Sequence, residues 1–145
     1  MWIPERRLLF SGDLVFNGGT PFVLMGSVAG ALQAVEQLRG LGAETIVPGH
    51  GEVCGPEAYE PVEGYLRFVQ ETARRGREAG LTPLEAARET DLGEWAGLLD
   101  AERIVGNLHR AYAELDGHPR APIDLATAIL DMITYNGGQP LSCLA

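Results

Sequence analysis

The chain has 145 residues, a hydrophobic content of 46% and a formal net charge of −9. This length is typical of one domain with its own core, and the acidic balance argues against a duplex nucleic-acid partner, which needs a basic face. All 11 basic residues are arginines, which excludes Schiff-base chemistry on lysine and a phosphate-binding loop with its lysine.

No apolar run is long enough to cross a membrane, and residues 1–7 lack the apolar stretch and cleavage site of a signal peptide. We therefore expect a cytoplasmic protein without a membrane partner. Its two cysteines, Cys54 and Cys143, are expected to be free thiols because nothing indicates a secreted disulfide scaffold.

The first predicted elements are two short strands that lead to a carboxylate. Residues 2–4 read as strand, residues 4–6 as a tight turn and the apolar residues 8–10 as the second strand. That strand ends in Ser11-Gly12-Asp13, at the kind of sheet edge where α/β proteins hold functional residues. Asp13 is therefore the first candidate functional residue.

The loop after Asp13, residues 14–22, contains the turn sequence Asn17-Gly18-Gly19 between aromatic residues. We expect this loop to fold over the site. Its glycines match neither Gly-x-Gly-x-x-Gly nor a Gly-Lys-Ser/Thr ending, so they indicate a turn and not a nucleotide-binding loop.

A crossover helix is predicted next, with Ser27 as its N-cap and Gly40 and Gly42 at its end. Its apolar residues follow a helical period: Val28, Leu32, Val35 and Leu38. Such a helix returns the chain to a second parallel strand, residues 45–48, which leads into Gly49-His50-Gly51. The pattern predicts a βαβ unit with Asp13 and His50 at its edge.

The rest of the chain is predicted to be helical. Pro61 suits the first turn of a helix that ends in the arginines before Gly80, and Thr82 and Glu85 form the capping sequence of another helix. Asp100 is expected to cap a helix with these residues facing inward: Ile104, Leu108, Tyr112 and Leu115.

The last predicted helix, about residues 124–135, ends at Asn136-Gly137-Gly138. Its expected buried residues follow the helical period: Leu125, Ile129, Met132 and Ile133.

The order of these motifs resembles the metallo-β-lactamase-fold hydrolases. Ser-Gly-Asp after one strand and Pro-Gly-His-Gly after the next resemble the last two ligand motifs of that family. The resemblance implies that Asp13 bridges two divalent metal ions, zinc above all, and that His50 completes the shell of the second. A carboxylate has two oxygens with which to bridge cations, whereas a neutral imidazole is a directional ligand.

A closer resemblance is to the lactamase-fold cyclases of aromatic polyketide biosynthesis, which are similar to thioesterases in their metal site. It rests on three segments: GDLVFNGGTPF (residues 12–22), GNLHRAY (residues 106–112) and YNGGQPL (residues 135–141). The implied reaction is ring closure on a carrier-bound thioester with thioester cleavage. The implied substrate-binding residues are Asn17, Thr20, Phe22 and Met25, since the loop after the aspartate borders the metals in that family.

One departure from the family is decisive for the fold. The family takes its first ligands from a His-x-His-x-Asp-His motif upstream of the aspartate, and this chain has only His50, His109 and His118. The expected fold class is therefore α/β: the C-terminal half of a metallo-β-lactamase (αβ/βα sandwich) fold, a βαβ unit followed by several helices. Residues 1–145 are expected to form one domain without the upstream metal-binding half.

Three hypotheses follow from the two ligands that remain. In the first, an upstream half of the fold, in the same protein or another chain, completes a hydrolase or cyclase site, because a catalytic zinc usually takes about three protein ligands. In the second, the chain is an inactive half-fold that acts as a binding or assembly module. Self-association is expected in both cases, because a half-sandwich exposes apolar surface.

The third hypothesis adds Cys54 to Asp13 and His50 as a small zinc site. Cys54 follows His50 closely in the sequence, and thiolate is a good zinc ligand. His109 and His118 are expected to be packing or loop residues.

Overall fold

The computed structural model describes residues 1–117, 122–141 and 143–144. Within these ranges the strands are β1 (Trp2–Ile3), β2 (Leu8–Phe16) and β3 (Thr45–His50). The helices are α1 (Val28–Gly40), α2 (Tyr59–Glu78), α3 (Pro83–Glu89), α4 (Arg103–Leu115) and α5 (Leu125–Tyr135). Short 3-10 turns lie at Pro4–Arg6, Pro56–Ala58 and Gly93–Gly97. The predicted α/β class, a βαβ unit followed by helices, is confirmed.

The sheet has the strand order β1-β2-β3. β1 runs antiparallel to β2, with Trp2 opposite Leu9, and β2 runs parallel to β3, with Leu9 opposite Ile46. Helix α1 makes the crossover between the two parallel strands. Leu9 and Ile46 face inward and form one core with buried residues of α1, α2, α3 and α4.

Strand β2 is longer than the sequence indicated. It continues past Asp13 to Phe16, although the pairing with β3 shifts on either side of Gly12, where φ is 56°. The reason is burial: Val15 and Phe16 enter the core, and the apolar contact holds the backbone against β3. Asp13 thus lies in the irregular half of a strand and not at its end.

Three of the predicted helix starts are confirmed at the level of single hydrogen bonds. The Ser27 hydroxyl accepts from the backbone N–H of Gly30 at 2.9 Å. Thr82 and Glu85 form a reciprocal capping box at the start of α3, and the Asp124 carboxylate accepts from the N–H of Thr127 at 3.2 Å. Each cap satisfies an N–H that the helix itself leaves unpaired.

Helix α2 begins at Tyr59, before the predicted Pro61. A 3-10 turn over Pro56–Ala58 leads into it, so the chain is already helical when it reaches Pro61. Its last turn carries Arg75 and Arg77, where cations oppose the negative end of the helix dipole.

The predicted cap of α4 is wrong. The N-cap residue is Glu102, which makes no side-chain cap, and Asp100 adopts the left-handed conformation with φ 57°. The Asp100 carboxylate instead accepts from the backbone N–H of Leu144 and pairs with Arg103. The carboxylate thus pairs with a nearby arginine and with a backbone N–H distant in sequence, and it does not cap the helix.

Three leucine and isoleucine positions predicted to be buried are exposed. Leu115 on α4 keeps 50% of its surface in solvent, and on α5 Leu125 keeps 38% and Ile129 keeps 42%. The two α5 residues border a cavity that the helical period alone could not reveal.

The outer face of the sheet carries exposed apolar side chains, including Phe10 and Leu14. No helix in the described residues is both long and apolar enough to span a membrane.

Candidate metal and substrate site

The structure brings Asp13 and His50 together at the parallel edge of β2 and β3. The Asp13 Oδ1 atom lies 3.6 Å from His50 Nε2, with 77% of the Asp13 side chain and 23% of the His50 side chain exposed. Two ligands of one tetrahedral zinc with bonds of about 2.1 Å lie roughly 3.4 Å apart. The pair therefore fits two corners of a zinc site.

Close backbone and side-chain contacts explain why glycines stand on either side of His50. A Cβ on Gly49 would overlap Asp13 Oδ1 and would lie 2.7 Å from the backbone carbon of Gly12. A Cβ on Gly51 would overlap the Asn17 carbonyl oxygen, and Gly51 has φ 89°. The Pro-Gly-His-Gly segment thus lets the two strands approach closely enough to pair the carboxylate with the imidazole.

The imidazole of His50 is oriented by contacts on its face and on its far nitrogen. The ring of Phe16 stacks on it at 4.6 Å between centroids with an interplanar angle of 7°. Cys143 Sγ lies 3.9 Å from Nδ1, on the side opposite Asp13. Nδ1 thus meets protein, and Nε2 is the nitrogen that faces the carboxylate.

Arg103 extends this stack into the protein. Its guanidinium lies 5.7 Å from the ring centroids of both Phe16 and Phe22. One terminal nitrogen lies 2.8 Å from the fully buried carboxylate of Asp100 and 3.3 Å from Cys143 Sγ. A buried cation of this kind requires its partner, so Asp100 holds the stack in place.

A polar stripe on α4 fixes the loop that follows the site. Arg103 donates to the Thr20 carbonyl at 3.0 Å, and Arg110 Nε donates to the Leu24 carbonyl at 3.0 Å. Between them Asn107 donates to the Pro21 carbonyl and accepts from the backbone N–H of Val23. The spacing i, i+4, i+7 of these buried polar residues was the signal in the sequence that a loop is bound to this helix.

A cavity of about 470 Å³ opens beside Asp13 and His50. Its lining is mostly apolar and comes from the loop and from α5: Phe22, Leu24, Met25, Leu125, Ile129 and Met132. A concave apolar space with a few polar groups at one end is the usual form of a small-molecule site.

The four predicted substrate residues divide into two pairs. Phe22 and Met25 line the cavity. Thr20 is only 1% exposed, and its carbonyl accepts a hydrogen bond from Arg103. The Asn17 side-chain amide donates to the Glu52 carbonyl at 3.0 Å. Asn17 and Thr20 therefore lie outside the cavity lining, and their hydrogen bonds hold the loop.

The predicted zinc site of Asp13, His50 and Cys54 is not assembled. Cys54 pairs with Ile46 through the backbone, and its thiol points to the Ile46 carbonyl. Burial, aided by the charge of Glu57, raises the pKa of that thiol. Among the residues that the structure describes, no three histidine, cysteine, aspartate or glutamate side chains form a group able to hold a metal ion.

His109 has the packing role expected from the sequence. Its Nε2 lies 2.8 Å from Asp131 Oδ2, which joins α4 to α5 behind the cavity. His118 lies outside the described residues.

Comparisons with known proteins give a family match for the first third of the chain. The model of the metallo-β-lactamase superfamily matches residues 1–50, the βαβ unit with both candidate ligands. The chain is 31% identical over 78 residues to the Beta-lactamase-like protein 2 homolog of Caenorhabditis elegans, a match that covers 54% of this chain. It spans about a quarter of that relative, 24% of its length. The chain is thus similar to the metallo-β-lactamase superfamily, and its small sheet and five helices are consistent with part of that fold.

Proposed function

We propose that this chain supplies two metal ligands and the substrate cavity of a metal-dependent hydrolase. The observation that carries the proposal is the Asp13–His50 pair, 3.6 Å apart, beside an apolar cavity. The remaining ligands come from an upstream half of the fold, in the same protein or in another chain, because two ligands hold a catalytic zinc poorly.

Asp13 and His50 would hold the metal through a carboxylate oxygen and Nε2. A divalent ion bound there would polarise a carbonyl and lower the pKa of a bound water toward about 7. The chain's own part is to orient the ligands. Phe16 sets the plane of the imidazole, and Gly49 leaves room for the Asp13 carboxylate.

The cavity supports an acyl substrate with a bulky apolar body. Its lining offers ring and thioether surfaces from Phe22, Met25 and Met132. The two candidate ligands are among its few polar lining residues. We propose a carrier-bound aromatic polyketide thioester as the substrate, with ring closure and thioester cleavage. The thioester carbonyl of this substrate would lie beside Asp13 and His50, and its apolar ring system would fill the cavity.

Zinc titration of the chain combined with the upstream half tests the proposal at its metal site, with binding measured by competition against a chelating dye. We expect Asp13→Asn and His50→Ala each to lower the zinc affinity at least tenfold. Glu52→Gln is the matched control, since it removes an exposed carboxylate next to the site without touching the pair. Zinc binding that both site variants leave unchanged would refute the assignment.

Catalysis is tested on the chain combined with the upstream half, using a 2-naphthoyl thioester. Cleavage that requires zinc and His50 supports the hydrolase. A combined protein that binds zinc and leaves the thioester intact would favour the second candidate, a self-associating module. The exposed side chains of Phe10 and Leu14 on the outer sheet face would be the surface through which such a module self-associates.

A further inference from the structure

Gly106, in the first half of α4, lies directly behind the wall of the cavity. A Cβ built on it would lie 2.9 Å from Phe22 Cε2 and 3.0 Å from Met132 Sδ. Contacts this short force a neighbour to move. Phe22 and Met132 both line the cavity beside Asp13 and His50.

Packing, and not backbone conformation, explains why residue 106 is a glycine. Gly106 is helical, and glycine inside a helix is less stable than alanine there. What its missing side chain provides is space for the Phe22 ring and the Met132 thioether to lie back against α4.

The cavity is open space that borders both side chains. The Phe22 ring is stacked on the Arg103 guanidinium at 5.7 Å, and Met132 is only 3% exposed. A methyl group on residue 106 would therefore push one or both side chains into the cavity and make it narrower.

We propose that Gly106 is a specificity-determining residue, whose missing side chain makes the cavity wide enough for a fused-ring acyl group. The inference rests on the proposed function, because it takes the cavity as the acyl site. A larger residue at position 106 restricts the site to narrow, straight acyl chains.

The test compares two probes, the hexanoyl and 2-naphthoyl thioesters of N-acetylcysteamine, whose affinities are measured by calorimetry in the presence of EDTA. We expect Gly106→Ala to weaken binding of the naphthoyl probe at least tenfold and to change binding of the hexanoyl probe less than threefold. Gly40→Ala is the matched control, since a Cβ on this α1 glycine meets nothing within 4 Å.

Met132→Ala provides a second background in which residue 106 can be tested. It removes the thioether that a side chain at 106 would meet, so Gly106→Ala/Met132→Ala has room to fold. We expect the double variant to prefer the hexanoyl probe more strongly than Met132→Ala alone does.

Equal probe preference with and without the added methyl group, in both backgrounds, would overturn the role of Gly106 while leaving the acyl site intact. Failure of the unmodified chain to bind either probe would overturn the acyl site and the role of Gly106 together. Zinc titration remains a separate measure of the metal site, so the two failures are distinguishable.

Discussion

At the scale of single residues, the site depends on how one imidazole is held. Asp13 and His50 are the candidate ligands expected from the sequence. Phe16 stacks on the His50 ring, Cys143 lies at its Nδ1 atom, and Arg103 packs on Phe16. Groups that orient a metal ligand typically contribute about 10- to 100-fold in metal affinity. Phe16 is therefore as informative a position as the ligands themselves.

Phe16→Leu should lower the zinc affinity about three- to tenfold, because leucine keeps the burial but loses the flat surface against His50. The measurement is a zinc titration in which the imidazole resonances of His50 are the readout. Phe68→Leu is the control, since Phe68 packs with Tyr65 and Trp95 away from the site. Equal zinc affinity in both variants would show that stacking does not orient the ring.

At the scale of elements, the two parallel strands approach each other because glycines precede and follow His50. Gly49→Ala should place a methyl group on the Asp13 carboxylate and on the backbone of Gly12. We expect zinc affinity at least tenfold below that of the unchanged chain. Gly97→Ala is the control, because a Cβ there meets nothing within 4 Å. A Gly49→Ala chain that binds zinc normally would mean that β2 and β3 can separate without loss.

The capping box of α3 makes stability depend on pH. Hydrogen bonds from the Thr82 backbone N–H and hydroxyl hold the pKa of the Glu85 carboxyl below its ordinary value of 4.5. A lowered folded-state pKa stabilises the protein above the unfolded-state pKa, and this contribution is lost as the pH falls through the folded-state value.

Urea unfolding between about pH 6 and pH 3 measures this effect. The free energy of unfolding of the unchanged chain should fall more steeply over this range than that of Glu85→Gln. Glu36→Gln, on the exposed side of α1, should follow the unchanged chain. Parallel curves for all three proteins would contradict the assigned role of the cap.

At the scale of the whole molecule, the sheet presents an apolar outer face. Phe10 lies opposite Val47 there, and 38% of its surface is exposed. Because patches of this kind are usually covered in stable proteins, self-association or docking of the upstream half remains our prediction.

Phe10→Arg should shift the chain toward the monomer in sedimentation velocity runs over a range of concentrations, because a charge would be buried in the interface. Leu115→Arg is the control, since Leu115 is also an exposed apolar residue but lies on α4. A monomeric unchanged chain, or an oligomer that both variants leave intact, would exclude self-association through this face.

The sequence by itself determined the local elements and pointed to the two candidate ligands. Ser27, Thr82 and Asp124 cap their helices through neighbours within a few residues, and the crossover helix follows from a helical apolar period. Such interactions are local, so their partners can be read from spacing alone.

Only the tertiary structure decided which side chains meet at the site. Asp100 does not cap α4 as expected but pairs with Arg103 and accepts a hydrogen bond from Leu144. Cys143 contacts His50, although Cys54 is closer to His50 in sequence. The contacts of Leu144 with Asp100 and of Cys143 with His50 join distant parts of the chain. They form because burying the core brings α4, α5 and the sheet edge together. The cavity has the same origin, since its walls come from elements that meet only after folding.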